Sequence, residues 1–257
     1  MPILKAEVFV LKKHDYGETS NIVNFFSREY GKFNGILKGI RAKPGKFAST
    51  LELFSHNKVI FYRSRSSSLH LVSQCDIENN FDHTRTDLDR ITAASLITEL
   101  LDTVMPQEDK NEEVFSLALE SFSALNNGVL PDKVVTVFKI KVLTLSGFKP
   151  NFDSCISCRT KVSGQAKFSL AKGGLLCQSC YSKDQSARNI YRGSIASILY
   201  IEKNNFTTGL GLGMNSLIKK EIDLLLNSFL VFHLEKELKS QKVINKLKSF
   251  YKTPGAI

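Results

Sequence analysis

Four of the five cysteines in this 257-residue chain, Cys155, Cys158, Cys177 and Cys180, form two C-x2-C pairs with eighteen residues between them. That is the spacing of a four-thiolate metal site. Each C-x2-C turn aims two sulfurs at one point, and two such turns close a tetrahedral cage around a single Zn2+. Four protein sulfurs leave no position for water or substrate, so the spacing predicts a structural ion and not a catalytic one. Paired disulfides suit small secreted proteins, whereas this chain is long, shows no signal-peptide core and leaves Cys75 odd. A redox C-x-x-C needs one such motif at a helix start, not two matched ones. Thiolate cages also accept other soft metals, so the ligand set is better defined than the ion. Cys75 follows a strand-like run, Leu69 to Ser73, and reads as a small buried hydrophobe.

No second constellation supports catalysis. His14, His56, His70, His83 and His233 fall in no metal-binding or nucleophile-paired arrangement and read as surface or core residues. Gly209-Leu210-Gly211-Leu212-Gly213 lacks the spacing of a dinucleotide fingerprint and follows no clear strand, so it reads as a flexible loop between helices.

The other chemistry is charge. The chain carries a net +10, unevenly spread: residues 1–80 hold 12 basic and 7 acidic groups, while residues 81–150 hold 7 and 11. Lys32, Lys38, Arg41, Lys43 and Lys46 lie in a stretch that contains no acid, and Arg63 and Arg65 sit on a turn after another strand-like run. Converging on one face, these seven would bind phosphate by counterion release, without sequence preference and with strong salt dependence. Tyr30, Phe33, Phe61 and Tyr62 lie near enough to stack on unpaired bases, although strand phenylalanines usually point inward, and Phe33 and Phe61 suit a core equally well. The C-terminal lysines Lys236, Lys239, Lys242, Lys246, Lys248 and Lys252 offer either a second contact or a solvated helix end.

The elements that position these residues change character along the chain. Short apolar runs in the first eighty residues (Ile3 to Leu11, Asn21 to Phe26, Phe33 to Lys38, Leu51 to Phe54, Lys58 to Tyr62 and Leu69 to Ser73) alternate with turn signals and predict a compact β-barrel. Three helices follow: one opened by Thr86-Asp87-Leu88-Asp89 with capping-box spacing, one stopped by Asn126-Asn127-Gly128, and one opened by Pro131. The cysteines then interrupt the helical pattern with a small ribbon around Lys167 to Leu170, and helices resume after it. The predicted architecture is α+β and multi-domain: a basic barrel over 1–80, a helical domain over 81–150 and 188–257, and a zinc module inserted at 151–187. No apolar run reaches membrane-spanning length, and cytoplasm is the default compartment.

Three phrases, Tyr16-Gly17-Glu18-Thr19-Ser20-Asn21-Ile22-Val23, Phe26-Ser27-Arg28-Glu29-Tyr30-Gly31-Lys32 and Leu37-Lys38-Gly39-Ile40-Arg41, together with the order of modules, resemble the RecO family of bacterial recombination mediators. The resemblance implies an N-terminal OB-fold and a helical domain with a zinc module, in a DNA repair protein that is not an enzyme. It further implies binding to single- and double-stranded DNA and annealing of complementary strands. The partners it implies are RecR, the acidic, phenylalanine-ended tail of the single-stranded DNA-binding protein, and RecA indirectly, loaded onto coated DNA. It places the DNA contact on Lys38 and Arg41, the basic residues inside a matching phrase; Tyr16, Gly17 and Glu18 read as a structural turn, with Glu18 capping or pairing with a barrel lysine. A protein-interaction scaffold without direct DNA binding is the alternative.

Overall fold

In β1 (Ile3–Tyr16) apolar residues run together because both faces of the strand are buried. Val8 and Val10 point into a barrel core, while Phe9 and Leu11 are buried on the other side. The computed structural model describes residues 2–42, 47, 51–235 and 237–250. β1 pairs antiparallel with β2 (Ser20–Ser27) and β4 (His56–Tyr62), β2 pairs with β3 (Gly31–Leu37), and β5 (Leu69–Asn79) lies between β3 and β4. A parallel β3–β5 ladder completes a closed five-stranded, OB-like barrel in the order β1-β2-β3-β5-β4. Its core holds Phe25, Phe33, Val59, Phe61, Val72 and Cys75. Gly35 sits where a Cβ would come within 2.6 Å of Val72 and 2.9 Å of Phe25, so the strand needs a residue without a side chain there.

One expected strand is corrected. Leu51 to Phe54 is a turn, with Leu51 and Phe54 at φ of 53° and 55°. Both side chains are buried, which gave the segment the apolar look of a strand.

The remaining elements fall into two units, divided at the first residue of the third helix, Pro131. The first joins the barrel to α1 (Leu88–Val104), α2 (Glu112–Asn126) and a C-terminal helix, α7 (Lys239–Phe250). Here Phe9 meets Phe115 and Phe122 of α2 at ring-centroid distances of 4.9 and 5.1 Å, which accounts for the outward-facing phenylalanine of β1. Asp87, not Thr86, caps α1: its carboxylate accepts from the Arg90 amide. The Glu99 carboxylate accepts from the backbone amides of Lys239 and Ser240 and so caps α7 from another helix.

The second unit, Asp132–Leu238, holds most of α3 (Pro131–Leu145), a four-stranded sheet, α4 (Arg192–Lys203), α5 (Phe206–Gly211) and α6 (Ser216–Leu234). The sheet runs β6 (Asn151–Cys155), β8 (Gly174–Cys177), β7 (Ala166–Ser169), β9 (Arg188–Ile190). β9 carries the sheet three residues past the expected module end at 187. The glycine run is also corrected: Gly209 and Gly211 belong to α5, and a Cβ on Gly209 would lie 3.3 Å from Val137, so close helix packing calls for glycine there. Buried polar links join α3 to α6: Thr136 donates to Asp223 (2.9 Å) and Lys139 to Asn227 (2.7 Å).

Candidate metal centre and nucleic-acid interface

All four predicted metal ligands come together. Cys155 ends β6, Cys177 ends β8, Cys158 lies on the turn after β6, and Cys180 on a 3₁₀ turn (Gln178–Lys183). Their sulfurs all lie within 4.8 Å of one another, and Sγ of Cys158 and Cys177 are 3.6 Å apart. Sulfurs bound 2.3 Å from a tetrahedral zinc would be roughly 3.8 Å apart, so the cage has the size of a metal site.

Local backbone bonds hold the first pair in place. The Arg159 amide donates to the Cys155 carbonyl (2.8 Å) and the Cys155 amide to the Thr160 carbonyl (2.9 Å), closing a turn in which Arg159 takes φ of 63°. The Cys177 amide donates to Sγ of Cys155 (3.4 Å), a bond that favours thiolate. The thiols respond in opposite directions to being crowded. Hydrogen bonds from Thr160 pull Cys158 down to about 6, while desolvation and the neighbouring sulfurs push Cys177 up to about 12. Four sulfurs at one point cannot all ionise unaided, and a dication removes the conflict by taking all four as thiolates. The surrounding core is small: two of its four buried residues, Cys155 and Cys180, are themselves ligands, beside Leu176 and Ala187. A core of that size does not hold a fold by burial alone, which is the circumstance that structural metals relieve.

The barrel separates the predicted basic residues. Lys38 is exposed just past β3. Arg41 donates to the Asp15 carboxylate (2.8 Å) and to the Gly17 carbonyl, clasping the turn between β1 and β2. Arg63 and Arg65 are exposed beyond β4, and Arg63 pairs with Glu108 (3.0 Å). Ile36, Leu71 and Tyr62 are consecutive neighbours across β3, β5 and β4. Lys38, two residues beyond Ile36, and Arg63, one beyond Tyr62, therefore leave this row in opposite directions, and the register does not bring them together.

Lys32 departs from expectation. Its side chain is 9% exposed, and its ammonium bonds to the carbonyl of Asp102 on α1 with the carboxylate 3.5 Å away, so it joins barrel to helix and does not face a ligand. Lys43 and Lys46, like Lys236 and Lys252, lie outside the described residues. Phe33 and Phe61 are stacked in the core at 4.6 Å, whereas Tyr30 and Tyr62 are half-buried at the surface. Glu18 is exposed and forms no ion pair among the described residues.

Three neighbours of these sites are ones that sequence reasoning misses: Thr160 beside Cys158, Glu108 on Arg63, and His70, which lies stacked at 13° to Phe61. Thr160 alone was within reach of a sequence reading, as the second residue past a C-x2-C turn.

Two family models match the chain: the N-terminal domain of recombination protein O over residues 1–81, and its C-terminal domain over residues 85–242. A DNA repair protein RecO of Halalkalibacterium halodurans is 32% identical over 186 residues, 72% of each chain. One of Syntrophus aciditrophicus is 31% identical over 250 residues, 95% of each chain. One of Thermoanaerobacter sp. is 27% identical over 251 residues, 97% of this chain and 100% of the relative.

Proposed function

Because the chain belongs to the RecO family of DNA repair proteins, we propose that it is a recombination mediator that binds DNA and pairs strands without catalysing a covalent step. The observation that carries this reading is the match of both family halves, in chain order, to a chain that begins with a closed barrel presenting Lys38, Arg63 and Arg65 to solvent. Those cations neutralise phosphates of single- and double-stranded DNA, while unpaired base edges stay free to meet a complement. Base pairing supplies the driving free energy, so no nucleotide turnover is needed. Lys43 and Lys46 extend the contact; Lys32 serves the fold.

The four thiolates hold one Zn2+, which pins β6 to β8 and takes no part in binding. The partners in this reading are RecR, the tail of the single-stranded DNA-binding protein and, through them, RecA. Among the described residues no helix is long and apolar enough to cross a membrane, and the place of action is the cytoplasm, on the nucleoid. The scaffold reading draws on one observation: Arg41 and Arg63 are already bonded to Asp15 and Glu108.

Annealing of two labelled complementary oligonucleotides, across a salt series and without nucleotide, decides between them. Acceleration that fades as salt rises is expected. No acceleration by a folded, metal-loaded protein would overturn the mediator reading in favour of the scaffold.

A further inference from the structure

The α6 helix is apolar on two opposite sides. Its inner side is buried: Ile222, Leu226, Phe229 and Leu230 are in the core, Phe229 meets Phe168 of the ribbon edge-on, and Asp223 and Asn227 bond to α3. A helix that is hydrophobic all round is ordinarily covered all round. On the outer side of α6, however, Leu217, Leu224, Val231 and Phe232 are 68, 59, 41 and 51% exposed.

These four are not scattered. Leu217, Leu224 and Val231 recur every seven residues, and seven residues fall about 20° short of two full helical turns. The three therefore form one line about 21 Å long, with Phe232 beside its end. Tyr191 joins the line near its start: its amide donates to the Glu221 carboxylate (3.1 Å), while its side chain stands exposed. Five large apolar side chains gathered in this way make a patch of the kind that marks an interaction surface.

The charges on the same side of α6 indicate what covers it. Lys219 is paired with Asp132, and Glu221 is held by the Tyr191 amide. Lys220, one turn before Leu224, and Glu235, one turn after Val231, are exposed and have no ion-pair partner among the described residues. A cation at the start and an anion at the end, with leucine and valine evenly spaced between them, is a self-complementary pattern. Turned antiparallel about the point between Asn227 and Ser228, a second α6 sets Leu224 against Val231 and Lys220 against Glu235, twice over. It also lays opposed helix dipoles side by side. A parallel arrangement would set Lys220 against Lys220 and lose both effects.

We propose that two copies of this chain pair through the outer face of α6, antiparallel, around a two-fold axis at Asn227 and Ser228. A two-fold contact of one patch with itself is the commonest way in which identical chains associate. One helix face is smaller than the ~800 Å² per partner of stable complexes, so the pair is weak in free solution and forms where copies are crowded. The consequence for function rests on the DNA-binding reading: copies are crowded along a strand, and a pair carries two barrels, one for each strand to be joined.

Sedimentation velocity of the full, metal-loaded chain without DNA tests the contact between about 2 and 200 μM, a range suited to small interfaces. The average mass is expected to climb from one chain toward two. Leu224→Ser and Val231→Ser, at exposed positions, should keep the melting temperature and weaken association about tenfold. Lys220→Glu and Glu235→Lys should each weaken it about twofold to fivefold, and the double variant should restore it. One chain at every concentration would overturn the pairing and leave the face to a different protein. Association that survives both serine variants would place the contact elsewhere, and a double variant no better than the single ones would overturn the antiparallel register. Annealing should slow in Leu224→Ser while affinity for single strands stays; unchanged annealing would remove the pair from strand joining. Because the sedimentation contains no DNA, the contact and the DNA-binding reading fail separately.

Discussion

The Lys32 ammonium and the Asp102 carboxylate, 3.5 Å apart, tie the third barrel strand to the first helix, and Lys12 reaches the same carboxylate at 2.5 Å. Burial pushes the Asp102 acid up, but its bonds to Lys12 and Lys32 outweigh burial and hold it below the ordinary carboxylate value. The stability it contributes is therefore full at neutral pH and is lost only as pH falls through that depressed value. Asp102→Asn should cost about 2 kcal/mol in urea unfolding, less than the ~3–5 of fully buried pairs because Lys12 is half-exposed. Lys32→Met should also destabilise the fold and leave the salt dependence of DNA binding unchanged. A reduced salt slope would return Lys32 to the interface.

Lys38 should behave in the opposite way. It is exposed and lies outside the barrel core, so Lys38→Ala should leave the melting temperature within about 2 °C of wild type. Loss of one phosphate contact lowers the slope of log affinity against log salt by about 1. Titrations at several salt concentrations measure it. An unchanged slope would show that the lysine does not meet a phosphate.

The contrast between these two lysines shows what could be read from residue order. The cysteine cage was legible because its spacing is local, and most barrel strands were legible because turn signals such as Asp15-Tyr16-Gly17 and Tyr30-Gly31 separate them. Lys32 could not be told from Lys38, because the acid that buries it lies 70 residues away. Glu108 on Arg63, 45 residues distant, was invisible for the same reason. Leu51 to Phe54 misled because burial, and not pairing, made it apolar. Long-range pairing decides whether a charge faces water, and composition carries no record of it.

His56 sets the acid limit of the barrel. Its ring packs on Phe9 and Phe115, and Nε2 lies buried without a hydrogen-bond partner, 3.6 Å from the Glu7 carboxylate. Burial lowers its pKa below 6.5, against the pull of Glu7 and Glu78 and with the help of Arg28 and Lys58. A histidine held neutral in the fold takes up a proton more readily when unfolded. Its contribution is thus complete above 6.5 and declines as pH falls below that value. His70, lowered by burial and Arg63, acts in the same direction. The unfolding free energy from urea titrations should drop between about pH 7.5 and pH 5.5, by no more than ~1.4 kcal/mol per pH unit for each histidine. His56→Phe keeps the ring contacts and should flatten the profile; an unchanged profile would assign the dependence to other groups.

Metal removal should act on the second unit. Cys155→Ser deletes a buried ligand, and its metal content should fall from one ion per chain to near none. Chelated wild type should then melt at the same temperature as the variant. Thr160→Val removes only the hydroxyl 3.4 Å from Sγ of Cys158, and should weaken the ion by roughly 10-fold with all four ligands present. Colorimetric zinc release measures both. Full metal content in Cys155→Ser would show that the four sulfurs do not share an ion.

Gly17 and Gly31 separate backbone conformation from space. Both take positive φ, 55° and 66°, which costs an L-residue roughly 1–2 kcal/mol. A Cβ on Gly17 would meet nothing within 4 Å, so Gly17→Ala should lose about that much and no more. A Cβ on Gly31 would lie 2.3 Å from the Asp109 carbonyl oxygen, a backbone atom of the α1–α2 connection. Relief requires that connection to move, and with it Glu108, whose amide is bonded to Lys32 next to Gly31. Gly31→Ala should therefore lose clearly more stability than Gly17→Ala. Equal destabilisation by the two alanines would show that the connection does not rest on Gly31.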